Sequence, residues 1–231
     1  MELVTPRLRL ARAEDPALVV RYVTDNREHL APWEPTRDDA YFTTEFWEDT
    51  LRAYARDEAQ GRHVRLHLYE GVQTLRGDAQ RTPPVPLASE GGLTLPSVHV
   101  PGTSNAADRE PPSLARGVGG SSGAERIIGT ANLNNIVRGA FHSAHLGFSL
   151  HHERQGHGLM KEALDALIAW AFSPEGLHLH RIEANYQPHN GRSAALLDRL
   201  GFRQQGFALD YLFLAGAWRD HVMTALINEK W

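Results

Sequence analysis

Two clusters of residues have types and spacings suited to chemistry. The first is Gln155-Gly156-His157-Gly158-Leu159-Met160. Glycine at 156 and 158 permits backbone angles and close approach that a side chain forbids, so successive N–H groups can turn toward one point. Behind the loop, Leu159, Ala163, Leu164, Leu167, Ile168 and Ala171 recur at three- and four-residue intervals, the signature of a helix with one apolar face. The first turn of that helix would add unpaired N–H groups and the positive end of its dipole. Such a junction suits a phosphate or pyrophosphate held mainly by backbone. The second cluster is Asn190-Gly191-Arg192-Ser193, which opens another apolar-periodic run ending in Leu200-Gly201-Phe202. On residue types alone the first cluster reads equally as a tight glycine turn. Asn190 reads equally as a helix cap bonding the amides just after it.

These clusters need strands and helices to position them. Leu3 to Arg12 alternates as a first strand, and Glu14-Asp15-Pro16 then opens a helix with Ala17, Leu18, Val20, Tyr22 and Val23 along it. Asn26 to Pro35 breaks that helix and places Trp33 between two prolines. A second helix is expected from about Thr44 to Gln60, stopped by Gly61, and a strand from His63 to Glu70. From about 71 to 125 the chain is rich in Pro, Gly and Ser and contains no Phe, Tyr or Trp. A connection of this length with only scattered aliphatics cannot hold its own core, so it reads as a low-complexity insertion in a single domain spanning 1–231, with room for a small hairpin around Gly91 to Leu95. Strands are expected again at Arg126–Leu133, Phe141–Leu150 and Leu179–Tyr186, a helix at Arg192–Leu200, and a closing hairpin of Arg203–Leu214 and Trp218–Ile227. The sum is an α+β layout: a mixed, mostly antiparallel sheet with helices on both faces.

Composition narrows the function classes. The 231 residues are 42% hydrophobic and 23% charged, ordinary for a soluble globular protein. No apolar run approaches the roughly 18 residues that cross a bilayer, and the start has no basic segment followed by an apolar core, so a cytoplasmic protein without membrane attachment is expected. With no cysteine, thiolate metal sites and a cysteine nucleophile are excluded. The thirteen histidines are scattered without metal-ligand spacing, so no metal is expected. A formal net charge of −4 argues against sequence-blind binding of nucleic acid. Oligomeric state is not legible from the chain.

Taken together, Gln155-x-x-Gly158-x-Met160, Asn190-x-x-Ser193 and Leu200-Gly201-Phe202 strongly resemble the GNAT superfamily of acetyl-CoA-dependent N-acetyltransferases. Asn26 to Pro35, Asn134 to His142, Asp210-Tyr211-Leu212 and Trp218 to His221 resemble its RimJ/RimL branch, which acetylates the N-terminal amine of ribosomal proteins. The resemblance implies the GNAT (acyl-CoA N-acyltransferase) fold, in which two central strands splay apart around the pantetheine. It implies acetyl-CoA as co-substrate, with Phe148, Ser149 and Leu150 along the pantetheine, Gln155, Gly156, His157, Gly158, Leu159 and Met160 around the pyrophosphate, and Asn190 and Ser193 on the opposite side of the cofactor. Met160 departs from the family's usual Gly or Ala. The implied acceptor is the N-terminal alanine of a ribosomal protein; the alternatives are a small amine such as an aminoglycoside, polyamine or amino-acid derivative, or a non-catalytic CoA-binding interaction protein.

Amine acetylation requires a neutral amine, donors for the oxyanion and an acid for the departing sulfur. A free α-amine with a pKa of about 7.7–8.0 is roughly one-seventh neutral at pH 7, whereas lysine at about 10.4 is almost wholly charged. An N-terminal acceptor therefore needs only a weak base. Many GNAT enzymes place an acidic tyrosine where this chain has Leu197, so the resemblance assigns the acid role to Ser193. Asp210 and Glu34 are the candidate bases, with Glu183 a third, and Trp33 with Glu34 would shape the acceptor pocket. An amide near Leu150 would serve the oxyanion.

Overall fold

The computed structural model describes residues 1–70 and 125–231. The insertion expected at about 71–125, including the possible hairpin near Gly91, lies outside the described residues save for Glu125. The described elements are β1 (Glu2–Val4), β2 (Leu8–Ala11), α1 (Pro16–Asp25), α2 (Arg27–Leu30), α3 (Thr44–Ala59), β3 (Val64–Glu70), β4 (Arg126–Val137), β5 (Ser143–Leu150), α4 (Leu159–Phe172), β6 (Arg181–Tyr186), α5 (Gly191–Arg199), β7 (Arg203–Leu214) and β8 (Ala217–Ile227). Short 3₁₀ turns cover Asp39–Phe42 and His152–Arg154. The single strand expected over Leu3–Arg12 is instead an antiparallel pair, β1 with β2, because Thr5-Pro6-Arg7 turns the chain back and Thr5 bonds across it to Leu8.

Helix ends follow their sequence cues. Asp15 caps α1 through the Ala17 amide at 2.8 Å with Pro16 in the first turn, and Thr43 caps α3 through the Phe46 amide at 3.3 Å. Gly61, at φ +67°, reverses the chain beyond α3. The eight strands form one sheet in the order β1-β2-β3-β4-β5-β6-β8-β7. Every pairing is antiparallel except β5 with β6, which is parallel and covers only Ser143–His145 against Arg181–Glu183. Beyond His145 these strands part, so Leu146 to Leu150 keep β4 on one edge and have no strand on the other.

Alternation along the strands divides the core. Leu66, Leu68, Ile128, Ala131, Leu146 and Leu150 point to the side where α4 buries Leu159, Met160, Ala163, Leu164 and Leu167. Tyr69 and Ile127 join Val19, Tyr22 and Val23 of α1 and Trp47 of α3 on the other face. That second face is more polar at its centre. His67, Thr130 and Ser149 stand directly opposite one another on β3, β4 and β5.

His67 is almost fully buried, and burial pushes its imidazole down from its ordinary value to about 4. The unfolded chain takes up that proton near pH 6.5, so the folded state loses stability as the pH falls from 6.5 through about 4. Denaturant unfolding at pH 7.5 and 4.5 is expected to show a loss of roughly 2.5 kcal/mol from this group. His67→Gln should remove most of that difference.

Candidate active site

The loop at 155–158 forms around two left-handed glycines, Gly156 at φ +80° and Gly158 at φ +74°. Gly158 is the N-cap of α4 and supplies no side-chain cap, leaving the first amides of the helix open. A Cβ on Gly156 would meet nothing within 4 Å, so the loop presents bare backbone outward. Leu159 and Met160 turn the opposite way and are buried at 5% and 6% exposure. Met160 thus belongs to the core, and its departure from the family pattern does not alter the loop surface. His157 is exposed and offers its carbonyl to Arg7 Nη1 at 2.9 Å.

Arg7 carries no motif that would reveal it in sequence. From the β1–β2 turn its Nε pairs with Glu162 Oε2 at 2.7 Å, while Thr5 and the Arg7 amide bond Oε1. Burial alone would raise the Glu162 carboxyl, but these hydrogen bonds and the Arg7 charge hold it below its ordinary value. The negative charge in the first turn of α4 is therefore already matched, and the glycine amides remain for another anion.

On the opposite side of the strand gap, Asn190 is the N-cap of α5, its Oδ1 accepting the Ser193 amide at 3.1 Å. Capping is compatible with a ligand role, since the Asn190 side-chain amide stays available. Ser193 is half-buried in the first turn, and Leu197 is sealed in the core at 1% exposure. Phe148, Ser149 and Leu150 occupy the stretch of β5 that β6 has left. The free strand edge precedes the uncapped helix start, and the loop between them meets the first turn of α5 where Gln155 Oε1 accepts from Arg192 Nη1.

The connection from Asn26 to Arg37 closes the other end. Asn26, fully buried, donates to the Tyr22 carbonyl at 2.8 Å and accepts the His152 amide at 3.1 Å. Gln187 donates to the Pro32 carbonyl at 3.3 Å, Trp33 lies 5.2 Å from His189 at 30° between ring planes, and Ala215 donates its amide to the Glu34 carbonyl at 3.0 Å. The Glu34 side chain faces a cavity of about 150 Å³ with Tyr22, Tyr41, Thr130 and Ser149 in its walls. Burial raises the Glu34 carboxyl, with Arg37 at 3.9 Å opposing the shift. Tyr22, Ser149 and Thr130 form an unbroken hydroxyl chain with links of 2.9 Å and 2.9 Å. Burial raises the Tyr22 phenol further than its bond to Ser149 lowers it, so it stays protonated. A larger open cleft of about 590 Å³ beside the start of α1 holds charges that mostly satisfy each other, as in Arg12–Glu58 at 3.3 Å.

Asp210 sits elsewhere. It lies on exposed β7 at φ +46°, in an irregular stretch of the β7–β8 pairing, its amide donating to Asp220 at 2.9 Å. It does not line the Glu34 cavity. A sequence offset cannot register that irregularity, which interrupts the two-residue alternation between Ala208 and Leu212. Glu183 is engaged by Arg181 at 2.7 Å and His145 at 3.0 Å, at the rung where β5 and β6 part. Among the described residues no group of three or more His, Asp or Glu is arranged to hold a metal ion.

Comparisons with known proteins agree with this fold. The family profile for the acetyltransferase (GNAT) domain matches residues 107–203. The chain is 34% identical over 233 residues to the ribosomal protein uS5-alanine N-acetyltransferase of Escherichia coli, covering 100% of this chain and 93% of that protein. It superposes on the ribosomal-protein-S5-alanine acetyltransferase of Vibrio fischeri with a TM-score of 0.73 at 29% identity, covering 100% and 98% of the two chains. It superposes on Mycobacterium smegmatis RimJ in complex with CoA-disulfide with a TM-score of 0.68 at 24% identity, covering 96% and 83%.

Replacing Gly158 by Ala forces a side chain into the left-handed region and is expected to cost about 1–2 kcal/mol. Gly147→Ala is expected to be near neutral, because φ there is unexceptional and the nearest atom, Asn134 Nδ2, lies at 3.6 Å. Denaturant titration of both variants distinguishes the two positions.

Proposed function

The chain belongs to the GNAT acetyltransferase family, and from that premise we propose that it transfers an acetyl group from acetyl-CoA to the N-terminal α-amine of a ribosomal protein beginning with alanine. The observation that carries this reading is full-length identity of 34% to an enzyme named for that substrate, joined to a pocket whose buried carboxylate suits an amine. The protein acts in the cytoplasm, where such an acceptor is made. Among the described residues no helix is long and apolar enough to cross a membrane.

Acetyl-CoA supplies the activated thioester. The glycine loop and the start of α4 hold its pyrophosphate through backbone amides, as their uncapped geometry allows. The free edge of Leu146–Leu150 offers pantetheine the hydrogen bonds that a neighbouring strand would otherwise take. Asn190 approaches the same group from α5.

Glu34 receives the acceptor. Its carboxyl draws the ammonium group into the cavity, and its raised proton affinity favours taking one proton from it. An α-amine loses that proton readily, so a carboxylate suffices where a lysine acceptor would need a stronger base. Tyr22, Ser149 and Thr130 give the cavity a polar wall that orients the amine without adding charge. The neutral amine attacks the thioester carbonyl; as the C–S bond of the tetrahedral intermediate breaks, Ser193, in the first turn of α5, passes its hydroxyl proton to the departing sulfur and is reprotonated by the proton that the new amide nitrogen gives up. Asp210 remains a second candidate base, acting from the β7–β8 hairpin only if the acceptor brings the two together.

Thiol release from acetyl-CoA is expected with peptides that carry a free N-terminal alanine. It should be absent with the same peptides acetylated at the N-terminus and containing an internal lysine. Glu34→Gln is expected to lower kcat/KM by about 10²–10³-fold, and Ser193→Ala to lower kcat by about 10²-fold. An effect of Asp210→Asn as large as that of Glu34→Gln would transfer the base role to Asp210. Turnover of polyamines or aminoglycosides in preference to the peptides would refute the N-terminal acceptor.

A further inference from the structure

His29 belongs to none of the motifs, yet it stands between the two halves of the site. It lies on α2, five residues before Glu34, within the connection that closes the acceptor cavity. Its Nε2 is 2.9 Å from Gln155 Nε2. Gln155 Oε1 accepts from Arg192 Nη1, at the start of α5. The glycine loop and the start of α5 are thus linked, through Gln155, to one side chain from the connection that carries Glu34.

The donors and acceptors allow only one direction through this chain. An amide nitrogen only donates, so His29 must accept from Gln155 with Nε2, which a neutral ring alone can do. A guanidinium only donates, so Gln155 must present its oxygen to Arg192. Reversing the Gln155 amide would set its NH₂ against Arg192, and a second proton on His29 would set an N–H against the Gln155 NH₂. The arrangement exists only with neutral His29.

We propose that His29 is a positioning residue for the cofactor loop: in its neutral form it fixes Gln155 and Arg192 in the arrangement that binds CoA, and a proton on it releases them. The proposal rests on the CoA-binding reading of the 155–158 loop. The titratable and charged groups facing the ring are His152, whose ring centre is 6.1 Å away on the 152–154 turn, and Arg192 from α5. Both disfavour a proton on His29. Burial acts in the same sense and is the largest cause, so His29 titrates below its ordinary value. CoA affinity should accordingly be full near neutral pH and fall as the pH drops below about 6.5.

The test is the dissociation constant of CoA, measured by calorimetry at about pH 8 and about pH 5.5 for the wild type, His29→Gln and His29→Leu. A glutamine amide can accept from Gln155 but does not titrate. Wild-type affinity is expected to fall several-fold between the two pH values, short of the roughly tenfold that an imidazole titrating at about 6.5 would give. His29→Gln should match the wild type at pH 8 and lose much less at pH 5.5. His29→Leu should be weakened about tenfold at both. The phosphates of CoA titrate near pH 6 themselves, and that contribution is common to all three proteins. If His29→Gln loses as much affinity as the wild type, or His29→Leu binds like the wild type, the proposal is overturned while the CoA-binding reading stands. If the wild type binds no CoA even at pH 8, both fall together. Arg192→Met supplies a second arm from the far end of the chain and should weaken CoA binding at pH 8 by a similar factor.

Discussion

Everything at the site depends on a parallel pairing that stops after three rungs. β5 and β6 are joined from Ser143–Arg181 to His145–Glu183 and then separate. Had they stayed paired, the outer edge of Leu146 to Leu150 would have its hydrogen bonds filled and no ligand could use them. The separation leaves an unfilled edge in the middle of a sheet, where water alone would otherwise satisfy it. On the other side, β5 is held by β4 from Val137 to Gly129, with Gly129 so close to the Ser149 carbonyl that a Cβ would sit 2.6 Å from it. One edge is fixed tightly so that the other can be left open.

The acceptor wall is held from outside itself. Between Asn26 and Glu34 it has one short helix and little core of its own. Its position comes from the His152 amide, the Gln187 amide and the Ala215 amide, contributed by the cofactor turn, the strand end before Asn190 and the tip of the terminal hairpin. The segments assigned to cofactor and to acceptor are therefore linked by three hydrogen bonds, two of which depend on the side chains of Asn26 and Gln187 and one of which joins backbone to backbone. The polar band His67–Thr130–Ser149 beneath this wall is the cost the sheet bears for a hydrophilic cavity inside its second core.

Most of the fold was legible because its elements obey local rules. Alternation placed β3 to β8 within a few residues, and Asp15-Pro16 and Gly61 marked helix ends by chemistry that acts over three or four positions. The glycine loop and Asn190 were legible for the same reason. The β1–β2 reversal was missed because Leu3 to Arg12 keeps an alternating pattern across a turn formed by only Thr5, Pro6 and Arg7. Arg7, Tyr22 and His29 were invisible as site residues: each acts on a partner more than 120 positions away, at 157, 149 and 155. Asp210 shows the converse. Its offset from Leu200-Gly201-Phe202 marks a strand position, but an irregular register turns that position outward.

The bond from the His152 amide to Asn26 spans 126 residues of chain. Asn26 is completely buried in the folded protein, yet its carboxamide oxygen cannot be satisfied in this way until residue 152 has been synthesised and has left the ribosome. During translation the amino-terminal segment must keep that polar group hydrated while its apolar neighbours Val19, Tyr22 and Val23 await β4. The wall of the acceptor cavity is thus encoded early and assembled late.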